Sequence, residues 1–183
     1  GWQSPIYCDN RVTLSYPEIR NHMKEAFRTS IQDHFETPDL IAGVATGAIA
    51  QGALVADTMH LPFVYVRPSA KEHGRQNLIE GRLLPGQKVV VVEDLISTGG
   101  SSLKAVEALR KAGAEVLGML AIFSYGFEVA IQNFKKADVE LFTLTNYHVL
   151  LETALASGDI REDQVEMLQQ WRKDPSAWKG AKK

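Results

Sequence analysis

One run of residues limits the possible folds more than any other in the chain. Four consecutive valines, residues 89–92, are followed by Glu93 and Asp94, by a small-residue segment at 97–102, and by apolar residues at helical spacing over 103–111. Uninterrupted β-branched residues indicate a strand that is covered on both faces. The order of strand, acids, loop and helix predicts an open α/β sheet with a ligand at the carboxyl end of this strand.

Residues 97–102, read as Ser-Thr-Gly-Gly-Ser-Ser, are suited to binding a phosphate group. Glycines allow a tight turn, hydroxyls add hydrogen-bond donors, and the helix N-terminus adds partial positive charge. Glu93 and Asp94 would accept hydrogen bonds from the hydroxyls of a sugar that carries the phosphate. An ordinary Gly-Gly turn explains the loop but not the acidic pair. The loop lacks the features of a P-loop and of a dinucleotide fingerprint.

Composition indicates a single domain over residues 1–183, because 183 residues with 45% hydrophobic content suit one α/β core. A net charge of -2 gives no basic surface for nucleic acid. Cys8 is the only cysteine, so no disulfide can form within the chain and a reducing compartment fits. The sequence has no signal-peptide pattern and no apolar run near the roughly 20 residues that cross a membrane. We therefore expect a soluble, cytoplasmic protein with no membrane or nucleic-acid partner.

Periodicity and turn residues divide the rest of the chain into alternating strands and helices. Strands are expected at 40–44, 62–67, 88–92, 116–124 and 139–144, with a short hairpin arm at 78–81. Helices are expected over 16–35, after residue 47 to about 57, and over 103–111, 129–136, 147–156 and 161–173. This alternation predicts a mainly parallel sheet flanked by helices. On pattern alone, residues 1–11 form an edge strand with a turn at Asp9 and Asn10.

The hydrophobic run, the two acids and the Ser/Thr/Gly-rich loop together resemble the phosphoribosyl diphosphate (PRPP) signature of the type I phosphoribosyltransferases. In that family the acids bind the ribose 2- and 3-hydroxyls and the loop binds the 5-phosphate. The resemblance implies that fold, with a small hood at residues 1–15, and a pyrophosphate loop at Thr46 and Gly47 with a cis-like peptide. The PRPP-binding residues that it implies are Thr46, Gly47, Arg67, Lys71, His73, Glu93, Asp94, Leu95, Ile96, Ser97, Thr98, Gly99, Gly100 and Ser101.

Residues 68–87 are polar and contain glycine, so we expect a flexible catalytic arm, with an ordinary disordered loop as the alternative. Lys71 and His73 at its tip resemble the Lys-Asp/Glu-His-Gly loop of the family's orotate branch, and are therefore the implied catalytic residues. Cationic donors that close over a departing diphosphate stabilise charge that grows in the transition state. Pro68 stands where some members have a second lysine.

Residues 4–11, Ser-Pro-Ile-Tyr-Cys-Asp-Asn-Arg, resemble the segment that the orotate branch places over the pyrimidine. This resemblance implies that Tyr7, Cys8 and Ser97 contact orotate. It also implies an N-terminal helix before residue 1, which this sequence does not contain. Some orotate enzymes have an arginine near residues 124–127 that binds the substrate carboxylate, and this segment has none.

Together these resemblances imply transfer of ribose 5-phosphate from PRPP to orotate, giving orotidine 5-monophosphate and pyrophosphate in pyrimidine synthesis. They also imply Mg²⁺ held mainly by PRPP with no protein side-chain ligands, and a homodimer whose subunits share the arm. Two alternatives remain open. A phosphoribosyltransferase for another base would not be expected to share residues 4–11 and 71–74. A non-catalytic PRPP-sensing regulator would be expected to lack the lysine at the tip of the arm and to have a nucleic-acid-binding region.

Overall fold

A computed structural model describes residues 3–69 and 78–178, in which one six-stranded sheet is flanked by helices. The strands are β1 (Leu40–Val44), β2 (Phe63–Val66), β3 (Ile79–Glu80), β4 (Lys88–Ile96), β5 (Glu115–Ser124) and β6 (Leu141–Asn146). The helices are α1 (Pro17–His34), α2 (Ile49–Met59), α3 (Gly100–Lys111), α4 (Glu128–Lys136), α5 (Tyr147–Ser157) and α6 (Glu162–Lys173), with a 3-10 helix at Asn10–Ser15. No helix of the described residues is long and apolar enough to span a bilayer.

The strand order is β3-β2-β1-β4-β5-β6. All neighbouring pairs are parallel except β2 and β3, which are antiparallel. The predicted mainly parallel sheet is thus confirmed. Since the carboxyl ends of parallel strands meet at one edge, the loops after β1, β2, β4 and β5 lie side by side, as ligand sites of open α/β sheets require.

The four valines of β4 point alternately into two apolar layers, which explains why this stretch contains no polar residue. Val90 and Val92 pack in the layer with α1, α2, α5 and α6, whereas Val89 and Val91 pack in the layer with α3 and α4. All four are fully buried. The predicted strand covered on both faces is confirmed.

Three predicted boundaries differ from the structure. The strand β4 continues past residue 92 to Ile96, because Glu93, Leu95 and Ile96 keep pairing with β5. Helix α3 begins at Gly100, before the first apolar residue of the helix, because small polar residues fit its first turn. The strand β6 begins only at Leu141, because the N–H group of Val139 donates to the Phe134 carbonyl at the end of α4.

The edge strand predicted for residues 1–11 is wrong for the part that the structure describes. Residues 3–9 pair with no strand, and the Asp9 side chain caps the 3-10 helix by accepting from the N–H group of Arg11. Within the predicted arm, β3 pairs with β2 as the expected short hairpin. The tip of the arm, with Lys71 and His73, lies outside the described residues.

Candidate active site

The two acids near the carboxyl end of β4 lie in different environments. Glu93 is 4% exposed, and its Oε1 and Oε2 atoms accept hydrogen bonds from the Asp94 N–H group at 2.9 Å and the Ser102 hydroxyl at 2.7 Å. Asp94, the next residue, is only half-buried. The alternation of side chains along a strand therefore places one acid inside the protein and leaves the other beside the cleft.

Burial, and then a hydrogen bond with the Asp94 carboxyl group, raise the pKa of Glu93 to about 8. The Ser102 hydroxyl and the Asp94 N–H group act in the opposite direction. At neutral pH Glu93 is therefore mostly a neutral acid, and it can donate a hydrogen bond to its neighbour. Asp94 is the acid of the pair that is placed to accept from a ligand hydroxyl.

The pyrophosphate loop predicted after β1 lies directly against Asp94. A Cβ atom added at Gly47 would lie 2.0 Å from Asp94 Oδ2, so any larger residue would force the carboxylate out of its present position. The Ala45–Thr46 peptide is cis, in the loop where the family resemblance implies such a bond. The structure thus brings Thr46, Gly47 and Asp94 together at one point of the sheet edge.

The loop after β4 is fixed from the side by α4. Gly99 is the N-cap of α3 with φ of 79°, and a Cβ atom there would lie 2.6 Å from Phe134 Cε2. The amide of Asn133 donates to the Thr98 carbonyl at 3.0 Å. This bond fixes the loop against α4, and the first N–H groups of α3 have no partner within the helix, as at any helix N-terminus, so an anion could accept from them. The loop at 97–101, called the phosphate cradle below, is therefore the candidate binding site for a phosphate group.

A cavity of about 420 Å³ extends from this edge along α3. It brings the predicted residue Arg67, at the end of β2, beside Ala45 and Ser101, and adds Lys104, which the sequence analysis missed. Arg67 also pairs with Glu80 of β3 at 3.5 Å. Lys104 follows Ser101 by three residues in α3, and that helical spacing was the available signal.

The described part of the hood, residues 3–15, is joined to the site by hydrogen bonds at both of its ends. The amide of Asn10 donates to the Asp94 carbonyl at 2.7 Å, and the indole N–H group of Trp171 donates to the Gln3 carbonyl at 3.1 Å. Burial, followed by the nearby charges of Asp94 and Asp9, raises the pKa of the Cys8 thiol. Cys8 is therefore a neutral thiol close to the acids.

Beneath the hood lies a second cavity, of about 380 Å³. Its lining residues are Gln3, Ser4, Ser97, Thr98, Tyr125, Phe127 and Trp171. Tyr125 and Phe127 stack with ring centroids 5.2 Å apart, and Trp171 meets both edge-on at 5.6 Å. This wall suits a flat aromatic ring.

The residues predicted from the sequence to bind orotate cover only part of this second cavity. Of the three predicted orotate-binding residues, Ser97 lines it, whereas Cys8 lies nearby in the hood and Tyr7 is 83% exposed. Tyr125 and Phe127 were missed, although aromatic residues directly after a strand at this sheet edge were a usable signal. Among residues 3–69 and 78–178, no group of three or more His, Cys, Asp or Glu side chains forms a metal site.

Comparisons with known proteins agree with this geometry. Residues 14–148 match the family described as the phosphoribosyl transferase domain. The chain is 61% identical over 182 residues to the orotate phosphoribosyltransferase of Phocaeicola vulgatus, covering 100% of this chain and 86% of that protein.

Two solved structures share the fold. The orotate phosphoribosyltransferase of Aeropyrum pernix has a TM-score of 0.74 and 30% identity, with 82% of this chain and 84% of that chain covered. The UMP synthase of Leishmania donovani has a TM-score of 0.76 and 28% identity, with 92% of this chain and 37% of that chain covered. The chain therefore belongs to the phosphoribosyltransferase family, as a member of its orotate phosphoribosyltransferase branch.

Proposed function

We propose that the protein transfers the 5-phosphoribosyl group of PRPP to orotate, forming orotidine 5-monophosphate and pyrophosphate in pyrimidine synthesis. One observation carries this proposal. Ser97 and Thr98 belong to the phosphate cradle and also line the aromatic cavity, so a 5-phosphate and a planar base would lie on two sides of one loop. That spacing suits a nucleoside monophosphate, the product of the reaction.

The neighbouring loops provide the remaining contacts for PRPP. The 5-phosphate would bind the N–H groups of residues 97–101, and Asp94 would accept hydrogen bonds from the ribose hydroxyls. The diphosphate would then extend toward Thr46, Gly47 and Arg67. Glu93 supports this arrangement from below, because its hydrogen bonds with Asp94 fix the orientation of the carboxylate that the ribose meets.

Displacement at the anomeric carbon then depends on placement and on stabilising charge. Orotate N1 attacks while the bond from the anomeric carbon to the diphosphate oxygen breaks, and positive charge develops on the sugar ring. The N1–H proton of orotate is lost as the new bond forms, and an oxygen of the departing diphosphate would accept it, so the reaction needs no separate strong base from the protein. The carboxylate of Asp94 beneath the ribose and the cation of Arg67 near the diphosphate act on the two charges that grow in the transition state.

We propose Mg²⁺ as the cofactor, bound mainly through PRPP. PRPP carries several negative charges, and Mg²⁺ prefers phosphate oxygens, waters and one or two carboxylates. Asp94, the half-buried carboxylate of the site, is assigned to the ribose hydroxyls, so the ion would be held by oxygens of PRPP and by waters. When bound, the ion would neutralise charge on the leaving diphosphate.

The decisive test is an assay of the purified protein with PRPP, Mg²⁺ and one base at a time. We expect PRPP-dependent loss of orotate absorbance and no reaction with uracil or with purines. Reaction with another base alone would identify a different phosphoribosyltransferase. Binding of PRPP without turnover of any base would favour a PRPP-sensing regulator.

We also propose a cytoplasmic homodimer in which the arm at residues 68–87 reaches the neighbouring active site. Lys71→Ala chains and Asp94→Asn chains should each be inactive, because one lacks the cation that meets the diphosphate and the other lacks the full ribose carboxylate. Mixing them should restore part of the activity, since one hybrid site has both residues intact. If mixtures with proven subunit exchange stay inactive, the arm serves its own subunit.

A further inference from the structure

The aromatic cavity has a cation beside it that the sequence analysis did not consider. Arg172, near the end of α6, donates from Nε to the Tyr125 carbonyl at 2.8 Å and from Nη2 to the Gly126 carbonyl at 3.0 Å. Tyr125 and Phe127 both line the cavity, and Gly126 lies between them in the chain. Arg172 is exposed and does not itself line the cavity, so the guanidinium group contacts the backbone that joins two of the lining residues.

The contacts of Arg172 hold its charge in place without neutralising it. Carbonyl oxygens carry only partial negative charge, and none of the described residues places a carboxylate within ion-pair distance of this guanidinium. A guanidinium group has five N–H donors. The two hydrogen bonds above leave three of them without a partner among the described residues.

The other nearby arginine is not available in this way. Arg11, in the hood, forms a two-pronged ion pair with Asp9, with N···O distances of 2.7 and 2.9 Å, and also donates to the Tyr7 hydroxyl. No residue that lines the aromatic cavity carries a positive charge. Arg172 thus differs from Arg11 in having no carboxylate paired with it among the described residues, and it lies next to the proposed base site.

We propose that Arg172 is the residue that selects an anionic base by pairing with the carboxylate of orotate. The inference rests on the proposed function and adds to it the group that distinguishes orotate from uncharged pyrimidines. The planar fork of arginine matches a carboxylate, and the carbonyls of Tyr125 and Gly126 fix that fork in advance. Trp171, the preceding residue of α6, packs on the aromatic wall of the same cavity and positions the helix.

The test compares orotate with orotate carboxamide, in which an uncharged amide replaces the carboxylate. In Arg172→Gln the kcat/KM for orotate should fall by about 10- to 150-fold, the value of one charge-assisted hydrogen bond. The Ki of the carboxamide, measured as a competitor of orotate, should stay within about threefold of its value in the parent protein, since the uncharged amide has no ion pair with Arg172 to lose. The KM for PRPP should not change.

Lys173→Gln is the matched control, because it removes the same charge from the next residue of the helix, which is exposed. It should leave both the kcat/KM for orotate and the Ki of the carboxamide unaltered. Arg172→Lys keeps the charge but not the planar fork, so its kcat/KM for orotate should fall less than that of Arg172→Gln. If Arg172→Gln does not fold, Arg172→Lys alone provides the comparison between orotate and the carboxamide. Parallel losses for orotate and the carboxamide would show that Arg172 only supports the turn, and would overturn the proposal. So would an unchanged kcat/KM for orotate in either variant. A parent protein that is inactive with orotate would instead refute the proposed function itself.

Discussion

Replacing Gly47 by alanine tests whether the pyrophosphate loop and the ribose carboxylate share one space. The added Cβ atom would lie 2.0 Å from Asp94 Oδ2 and 2.3 Å from its Cγ. To reach the 3.4 Å at which ordinary contact begins, the carboxylate oxygen would have to move by about 1.4 Å. The Asp94 backbone is held, because its N–H group donates to Glu93 and its carbonyl accepts from Asn10, so the side chain must turn away from the loop.

Two consequences follow for Gly47→Ala. The overpacking should lower the free energy of unfolding by about 1–3 kcal/mol. A displacement of this size at a substrate-binding carboxylate should reduce kcat/KM for PRPP by about 100-fold, the loss typical of a 1 Å error in placement. Urea unfolding and the PRPP assay measure the two effects separately.

A double-mutant cycle isolates the cause. Asp94→Ala removes the obstructing carboxylate, so Gly47→Ala should cost almost nothing in free energy of unfolding when it is added to Asp94→Ala. Gly158→Ala is a control outside the site, since a Cβ atom there meets nothing within 4 Å. It should keep full activity, with only the small cost of a positive φ. If Gly47→Ala destabilises both backgrounds equally, the steric argument is refuted.

Three further predictions concern the same edge of the sheet. The folded pKa of Glu93, about 8, lies above its ordinary 4.5, so its contribution to stability is complete below about 4.5 and is lost as pH rises toward 8. In urea unfolding at pH 5 and pH 8, Glu93→Gln should lose less stability over this range than the parent, and equal losses would contradict the assignment. Asn133→Ala removes the hydrogen bond to the Thr98 carbonyl, which should lower the free energy of unfolding by about 0.5–1.5 kcal/mol. It should also raise the KM for PRPP more than the KM for orotate. A rise confined to the KM for orotate would contradict the phosphate cradle. Gly99→Val adds a side chain where φ is positive and Phe134 leaves no room, so calorimetry should show a severe loss of PRPP affinity, and unchanged affinity in the folded variant would rule the cradle out.

The sequence was most informative where local chemistry decides the structure. The valine run, the acidic pair and the small-residue loop follow one another in the chain, so the strand, the cradle and their order could be predicted before any fold was known. The end of β4 could not be predicted, because it depends on hydrogen bonds to β5. The different environments of Glu93 and Asp94 depend in turn on contacts made in the fold, with Ser102 in the first turn of α3 and with Gly47 in the loop after β1.

The aromatic cavity was predicted less well for a related reason. Residues 3–9 have strand-like composition, but they are held by Trp171 and by the carbonyl of Asp94, and neither contact leaves a local pattern. Trp171 lies within the helix expected over 161–173, where no local pattern marks it as a cavity residue. The structure shows that it is buried, at 3% exposure, and that it also lines the cavity.

The hydrogen bond from Trp171 to Gln3 joins positions 168 residues apart. Closing so long a loop costs conformational entropy before any contact repays it, whereas Ser102 and Glu93, on which the ribose site depends, are only nine residues apart. We therefore expect the two halves of the active site to arise at different stages of folding. A chain still emerging from the ribosome would complete the phosphate cradle once α4 had joined β4 and α3, and would enclose the base cavity only after α6 had been synthesised and had reached the hood.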